Sequence, residues 1–171
     1  RNPRLPTAYR LDCYEEQVLP PEAKRHDPRS QLHYWFMMQV LTGLRPQELA
    51  LLDFGCGAGG FLVEARAAGF AVTGLELNRD LARHVEETYD IPVYQGLISD
   101  AAFAGERFNV VVTSQVFEHL LDPRETLEHL RDHLDPPGIL LVEVPNLRDT
   151  RERCKRGSTM DDSHLFYFNR Y

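Results

Sequence analysis
The sequence predicts an α/β fold, a mostly parallel sheet with helices on both faces. Three observations lead there. Short apolar runs alternate with segments of helical period from residue 49 onward, which is the signature of βαβ units. A glycine-rich turn, Gly55 to Gly60, directly follows the first run and opens a helix. The run Phe108 to Ser114 is strongly β-branched, as befits a central strand covered on both sides.

Each element has its own local signal. Residues 1 to 28 carry Pro3, Pro6, Pro20, Pro21 and Pro28 with little periodicity, which predicts an extended or partly helical arm. From Ser30 to Leu44, the residues Leu32, Trp35, Phe36, Val40 and Leu41 approximate the rhythm of an amphipathic helix, ended by Gly43 and Pro46. Leu49 to Phe54 is the first strand. Gly60 to Ala68 is a helix burying Phe61, Leu62 and Ala65, with Gly69 as its stop. Phe70 to Leu75 is the second strand, and Asn78 caps a helix through Tyr89 with Leu81, Val85 and Tyr89 inward.

Ile91 to Gln95 and Phe108 to Ser114 are strands three and four. Asp122-Pro123-x-Glu125 combines a cap, a first-turn proline and a third-position acid, so a helix starts there and buries Leu127, Leu130 and Leu134. Pro136-Pro137-Gly138 is expected to stop it before a fifth strand, Ile139 to Val144. Residues 145 to 171 contain no clear strand pair to close the sheet, which leaves open a chain that stops before the last elements of its fold. The expected division is an N-terminal arm and helical cap, 1–48, and a ligand-binding domain, 49–171.

Composition narrows the function classes. A chain of 171 residues with 43% hydrophobic and 26% charged residues is an ordinary globular domain. Its apolar runs fall well short of the roughly 20 residues a membrane-spanning helix needs, so no membrane partner is expected. There is no apolar signal-peptide core at the N-terminus, and the chain opens without Met, consistent with trimming; a cytoplasmic location is the expectation. Cys13, Cys56 and Cys154 are odd in number and scattered, and read as free thiols. A net charge of −7 argues against nucleic acid. The basic stretch Arg148 to Arg156 is interrupted by Asp149 and Glu152 and reads as a solvated face more readily than as an anion site.

The glycine turn carries two fingerprints. Gly55-x-Gly57-x-x-Gly60 has the dinucleotide spacing, while Asp53-x-Gly55-x-Gly57-x-Gly59 is the looser pattern of nucleoside-binding methyl transfer. Both use the same physics: glycines let the backbone approach a ligand, and a helix N-terminus offers free N–H groups. Both also use Glu76, about 20 residues past the first glycine, for ribose hydroxyls. Asp53 separates them, because a second negative charge is unwelcome beside a pyrophosphate and welcome beside a cationic amino group or sulfonium.

Four segments then agree. Leu51-Leu52-Asp53-Phe54-Gly55-Cys56-Gly57-Ala58-Gly59 is followed by Gly74-Leu75-Glu76, by Phe108-Asn109-Val110-Val111-Val112 with Phe117-Glu118-His119-Leu120, and by Pro145-Asn146. This order resembles the class I S-adenosylmethionine-dependent methyltransferases, and within them the ubiquinone-type O-methyltransferase-like group. The likeness covers about residues 49 to 147, with an echo in His164-Leu165-Phe166-Tyr167-Phe168.

The resemblance implies a Rossmann-like sheet and S-adenosyl-L-methionine as cofactor. It implies Asp53, Gly55, Cys56, Gly57 and Gly59 around the methionine portion, Glu76 on the ribose, and Leu77 beside the adenine. The loop after strand three departs from the pattern, with Gly96-Leu97-Ile98-Ser99 in place of an early acid. Leu97 and Ile98 remain as apolar neighbours of the adenine, with Ser99 or Asp100 for a polar contact. Ser114 and Gln115 match positions facing the cofactor's amino-acid end and the acceptor. Asn109 stands where the family usually has Asp, a structural position.

Methyl transfer needs alignment above all, so catalytic residues are weakly encoded. His119, after strand four, is the leading general base for a hydroxyl acceptor, and His164 is a second candidate. The competing reading is that Glu118-His119-Leu120 only starts a helix and packs. No metal is expected, since Asp161 and Asp162 without a third ligand read as a solvated turn. Tyr34, Trp35 and Phe36 supply a core face or one wall of a lid, and Cys56 is a small filler. The expected partner is a small-molecule methyl acceptor, and a homodimer is left open. Two alternatives stand beside this reading: a methyltransferase-like binding or scaffold protein, and an NAD-type oxidoreductase.

Overall fold
The computed structural model describes residues 34, 35, 37–41, 43–100, 103–147, 164–166 and 168. The expected N-terminal arm, Cys13, Cys154, Phe36, the basic stretch at 148–156 and the Asp161-Asp162 turn lie outside the described residues.

The first apolar run is strand β1 (Ala50–Phe54), buried over its last four positions. Helix α1 (Gly60–Ala67) follows and buries Gly60, Phe61, Leu62 and Ala65, as its spacing predicts. Strand β2 (Ala71–Glu76) leads to helix α2 (Arg79–Tyr89), whose cap Asn78 accepts from the backbone N–H groups of Asp80 and Leu81. Strand β3 (Val93–Gln95) is short, and strand β4 (Phe108–Ser114) is buried at five of its seven positions. Helix α3 (Pro123–Asp132) starts where the capping pattern places it, with Asp122 accepting from the Glu125 N–H at 2.9 Å. Strand β5 (Leu134–Glu143) completes the described sheet.

All pairings are parallel, in the order β3-β2-β1-β4-β5. Strand β1 lies between β2 and β4, so the chain reverses its direction of travel across the sheet there, and a crevice opens beyond the carboxyl ends of these strands. Helices cover both faces. One core layer joins Phe61, Leu62 and Ala65 of α1 and Ala82 and Val85 of α2 to Leu51, Val72, Val110 and Val112. The other joins Leu130 of α3 to Leu52, Phe54, Leu75, Phe108 and Val111. Asn109 has the structural role expected of it: its side-chain oxygen accepts from the Ala50 N–H at 2.9 Å and ties β4 to the start of β1. Among the described residues no helix is long and apolar enough to cross a membrane.

Three sequence expectations are corrected. The helical segment before β1 does not bury the Trp35 and Val40 stripe. Trp35 is 59% exposed and Val40 52%, while Met37 and Leu41 are buried with Tyr34 and Met38 packed beside them. Positions 34, 37, 38 and 41 form an equally good helical stripe, and Gly60 explains the choice. A Cβ at Gly60 would lie 2.6 Å from the Tyr34 ring and hydroxyl, so this glycine is the seat of Tyr34 and not part of the ligand loop. The second correction concerns Leu134 and Pro136-Pro137-Gly138. Leu134 already pairs with Phe108, and the Pro-Pro-Gly stretch is absorbed as a register shift within β5 before Ile139 pairs with Val110. Leu127, expected inward, is 39% exposed, leaving Leu130 as the buried anchor of α3.

Candidate active site
The turn after β1 is built from the β2 side. The N–H groups of Gly55 and Cys56 both donate to the Leu75 carbonyl, at 2.8 and 3.1 Å, which folds the loop back over the sheet edge. Gly57 has φ +54 with nothing within 4 Å of its Cβ position, so the space on that side of its backbone is open. Gly59 closes the loop as the left-handed N-cap of α1. Gly55 is constrained differently: its φ is +80, and a Cβ there would collide with the Val116 side chain from the loop after β4. Replacing Gly55 by Ala is expected to cost about 2–4 kcal/mol, from left-handed strain and overpacking together. In urea unfolding, a cycle with Val116→Ala should recover only the steric share. Strict additivity of the two changes would rule out the Val116 collision.

Two carboxylates stand at the strand ends. Glu76 is 7% exposed; one of its oxygens accepts from the Asn78 N–H at 2.8 Å and the other from the Gly57 N–H at 2.8 Å. It therefore bridges the end of β2 to the glycine loop. Asp53, on β1 opposite Gly74, is 5% exposed. Burial, and secondarily the negative Glu76, push its carboxyl up to about 7. Cys56 is buried with its Sγ in the space a Gly74 side chain would fill. Burial, then the Asp53 and Glu76 charges, push its thiol well above the ordinary range, so it is an inert filler.

Around the crevice the other predicted residues divide. Leu77 is half-buried, and its carbonyl accepts from the Gln95 side chain. Leu97 is 53% exposed, whereas Ile98 is packed into the lower core layer with Phe103 and Phe108. Asp100 is occupied within its own loop, accepting from the Leu97 N–H at 2.8 Å and the Tyr94 hydroxyl at 3.3 Å. Ser114 donates to the Glu143 carboxylate, and the Gln115 side-chain amide reaches its other oxygen at 3.4 Å. Gln115 also takes a left-handed φ of +57, which turns the chain away from β4.

Beyond that turn, a short 3₁₀ segment (Phe117–His119) carries Glu118 and His119, and the second candidate base, His164, meets them from further along the chain. Glu118 is 1% exposed, and one of its carboxylate oxygens lies 3.9 Å from Nε2 of His119 and 4.0 Å from Nε2 of His164. The two imidazoles meet edge to face at 4.8 Å. The Glu118 carbonyl accepts from the N–H groups of Leu165 and Phe166, at 2.7 and 3.2 Å, and Phe168 bridges to Asn146. One donor atom from each of the three side chains falls within 4.8 Å of the others, compact enough to close on a cation, a grouping the sequence reading did not foresee. Glu118 and Glu143 are the site residues that sequence reasoning missed.

The comparisons with known proteins agree with this geometry. A family model described as a methyltransferase domain matches residues 27–170. The ubiquinone biosynthesis O-methyltransferase of Cereibacter sphaeroides is 40% identical over 106 residues, covering 58% of this chain and 42% of its own length. The chain thus spans less than half of that relative. Among solved structures, the PH0226 protein of Pyrococcus horikoshii is similar over 90% of this chain and 76% of its own, at 21% identity and a TM-score of 0.71. DesVI of Streptomyces venezuelae is 28% identical, with a TM-score of 0.56, over 69% of this chain and 52% of its own. With its glycine turn, strand-end acids and Glu118-His119 segment in the order described, the chain belongs to the methyltransferase-domain family.

Proposed function
We propose that this chain binds S-adenosylmethionine and takes part in transferring its methyl group to a hydroxyl of a small-molecule acceptor. The observation that carries the reading is the cradle at the β1–β2 end, where Glu76 is held against the Gly57 N–H with Asp53 beside it. The open space at Gly57 and the donor set fit a nucleoside with a cationic tail. Glu76 offers acceptors to the ribose hydroxyls, and Asp53 offers charge to the amino-acid end, which Gly55, Cys56, Gly57 and Gly59 surround. Leu77 and Leu97 are the open apolar side chains for the base, with Ile98 beneath them in the core. Ser114 and Gln115, tied to Glu143, line the way toward the acceptor.

When bound, the cofactor supplies a methyl group on sulfonium, an excellent leaving group. The chain's own task is then to align the acceptor oxygen with that methyl, worth up to ~7–11 kcal/mol in favourable cases. His119, with His164 against it, would take the acceptor's hydroxyl proton as the methyl group is transferred, a contribution of about 10²–10⁴-fold. The Cereibacter relative is named for O-methylation in ubiquinone biosynthesis, which favours a hydroxyl over an amine or carbon. The reading carries with it a small-molecule partner, a cytoplasmic setting, residues 1–48 as a cap over the cofactor-binding domain, and room for a homodimer.

Titration calorimetry tests it. S-adenosylhomocysteine is expected to bind and NAD is not. Binding of NAD without a response to S-adenosylhomocysteine would overturn the reading, and cofactor binding without methyl transfer to any of a panel of phenols and catechols would favour a binding protein.

A further inference from the structure
We infer that Glu143 serves the cofactor's ammonium group through Ser114: its carboxylate holds the serine proton, so that Ser114 Oγ meets the crevice as a hydrogen-bond acceptor with a negative charge behind it. The inference rests on the proposed function, and adds to Asp53 a second group that reads the amino-acid end from the β4–β5 side.

The placement follows from the strand register. Leu51, Val72, Val112 and Leu141 all lie in or against the core layer that α1 and α2 cover. Side chains an even number of residues apart on a strand share a face. Asp53, Glu76, Ser114 and Glu143 therefore stand on that one face, at the carboxyl ends of β1, β2, β4 and β5. Asp53 is the cross-strand partner of Val112, so Ser114 lies on the neighbouring strand two residues further toward the crevice.

Within this row Ser114 and Glu143 are themselves cross-strand partners. Ser114 Oγ donates to one Glu143 oxygen and Gln115 Nε2 to the other, at 3.4 Å, while the Gln115 N–H donates to the Glu143 carbonyl at 3.0 Å. The acid is thus held on the two residues that leave β4. A carboxylate only accepts, so the one proton of the Ser114 hydroxyl is committed to it, and what Oγ offers a ligand is lone pairs. No further partner of Glu143 reverses that direction.

Charge decides which ligand group fits. An anion would meet a face that already carries Glu76, Asp53 and Glu143, whereas a cation gains from all of them. Asp53 alone is a weak counter-ion, because its carboxyl, pushed up to about 7, is only partly ionised near neutral pH. Glu143, acting through Ser114, makes up the charge that Asp53 lacks.

Calorimetry with S-adenosylhomocysteine and with methylthioadenosine, which keeps base and ribose and lacks the amino-acid end, reads this contact. The unmodified protein should prefer S-adenosylhomocysteine by at least ~10-fold. Glu143→Gln keeps an oxygen for Ser114 and removes the charge. Its dissociation constant for S-adenosylhomocysteine should rise about 5- to 20-fold, and that for methylthioadenosine by less than about 2-fold. In a Ser114→Ala background the same change should add less than about 2-fold, because the link is already broken. Should Glu143→Gln fail to fold, Ser114→Ala breaks the link from the β4 side and gives the same readout.

Equal losses for both ligands would overturn the inference, since a merely structural role lowers both. So would an unchanged affinity for S-adenosylhomocysteine in Glu143→Gln, or a full effect of that change in the Ser114→Ala background. Equal binding of the two ligands by the unmodified protein would overturn it too, with the cofactor reading left standing. Failure of both to bind the unmodified protein would remove the proposed function and this inference with it.

Discussion
Asp53→Asn is expected to make the protein more stable at pH 8 and worse at binding its cofactor. The carboxyl of Asp53 sits at about 7 in the folded chain, raised by burial and by Glu76, against roughly 3.9 when unfolded. The folded state therefore holds a proton that the unfolded state has already lost, and stability falls as pH rises from about 4 to about 7. A shift of about three units corresponds to a deficit of up to ~4 kcal/mol above that window. Asn cannot ionise, so the variant should lack the deficit. Urea midpoints at pH 4 and pH 8 check this: the two proteins should be close at pH 4 and diverge at pH 8. Coincident profiles would mean that Asp53 does not titrate in the fold. Cofactor binding should show the opposite preference, since a cationic ligand needs the ionised acid. Affinity of the unmodified protein for S-adenosylhomocysteine should improve as pH rises through about 7, and that of Asp53→Asn should be weaker and flat.

Glu76→Ala is expected to damage binding and fold at once. Loss of the charged acceptor proposed for the ribose should cost about 1.5–3 kcal/mol, roughly a 10- to 150-fold rise in the dissociation constant for S-adenosylhomocysteine. The same change strips the Gly57 and Asn78 N–H groups of their partner. Leaving such donors unsatisfied should lower stability by about 1–3 kcal/mol. Glu76→Gln keeps one acceptor oxygen and should fall between the two in calorimetry and in urea. An affinity unchanged in Glu76→Ala would place the ribose elsewhere.

What the sequence showed and what it hid follow from the range of the forces involved. Strand β4 is legible because its β-branched run needs no distant information, and the Asn78 and Asp122 caps are legible because their partners lie within three residues. The face of the first helical segment was not legible. Two stripes fit the same period, and the seat for Tyr34 at Gly60 lies far along the chain. Leu134 fits the helical rhythm of α3 equally well, and only its pairing with Phe108 assigns it to β5.

The site divides in the same way. Asp53, Glu76 and the glycines announce themselves by spacing. Glu118 and Glu143 look like surface acids in their own neighbourhoods, and take their roles from His164 and from Ser114 and Gln115, which reach them only in the fold.

The contact between Gly55 and Val116 limits how the protein can be redesigned. Val116 occupies the space beside the glycine turn and stands three residues before His119, the proposed base. The two loops cannot be exchanged as separate modules. A graft that enlarges the loop after β4 to admit a new substrate presses on the turn proposed to cradle the methyl donor. A change of substrate range sought by altering that loop must therefore be selected together with donor affinity.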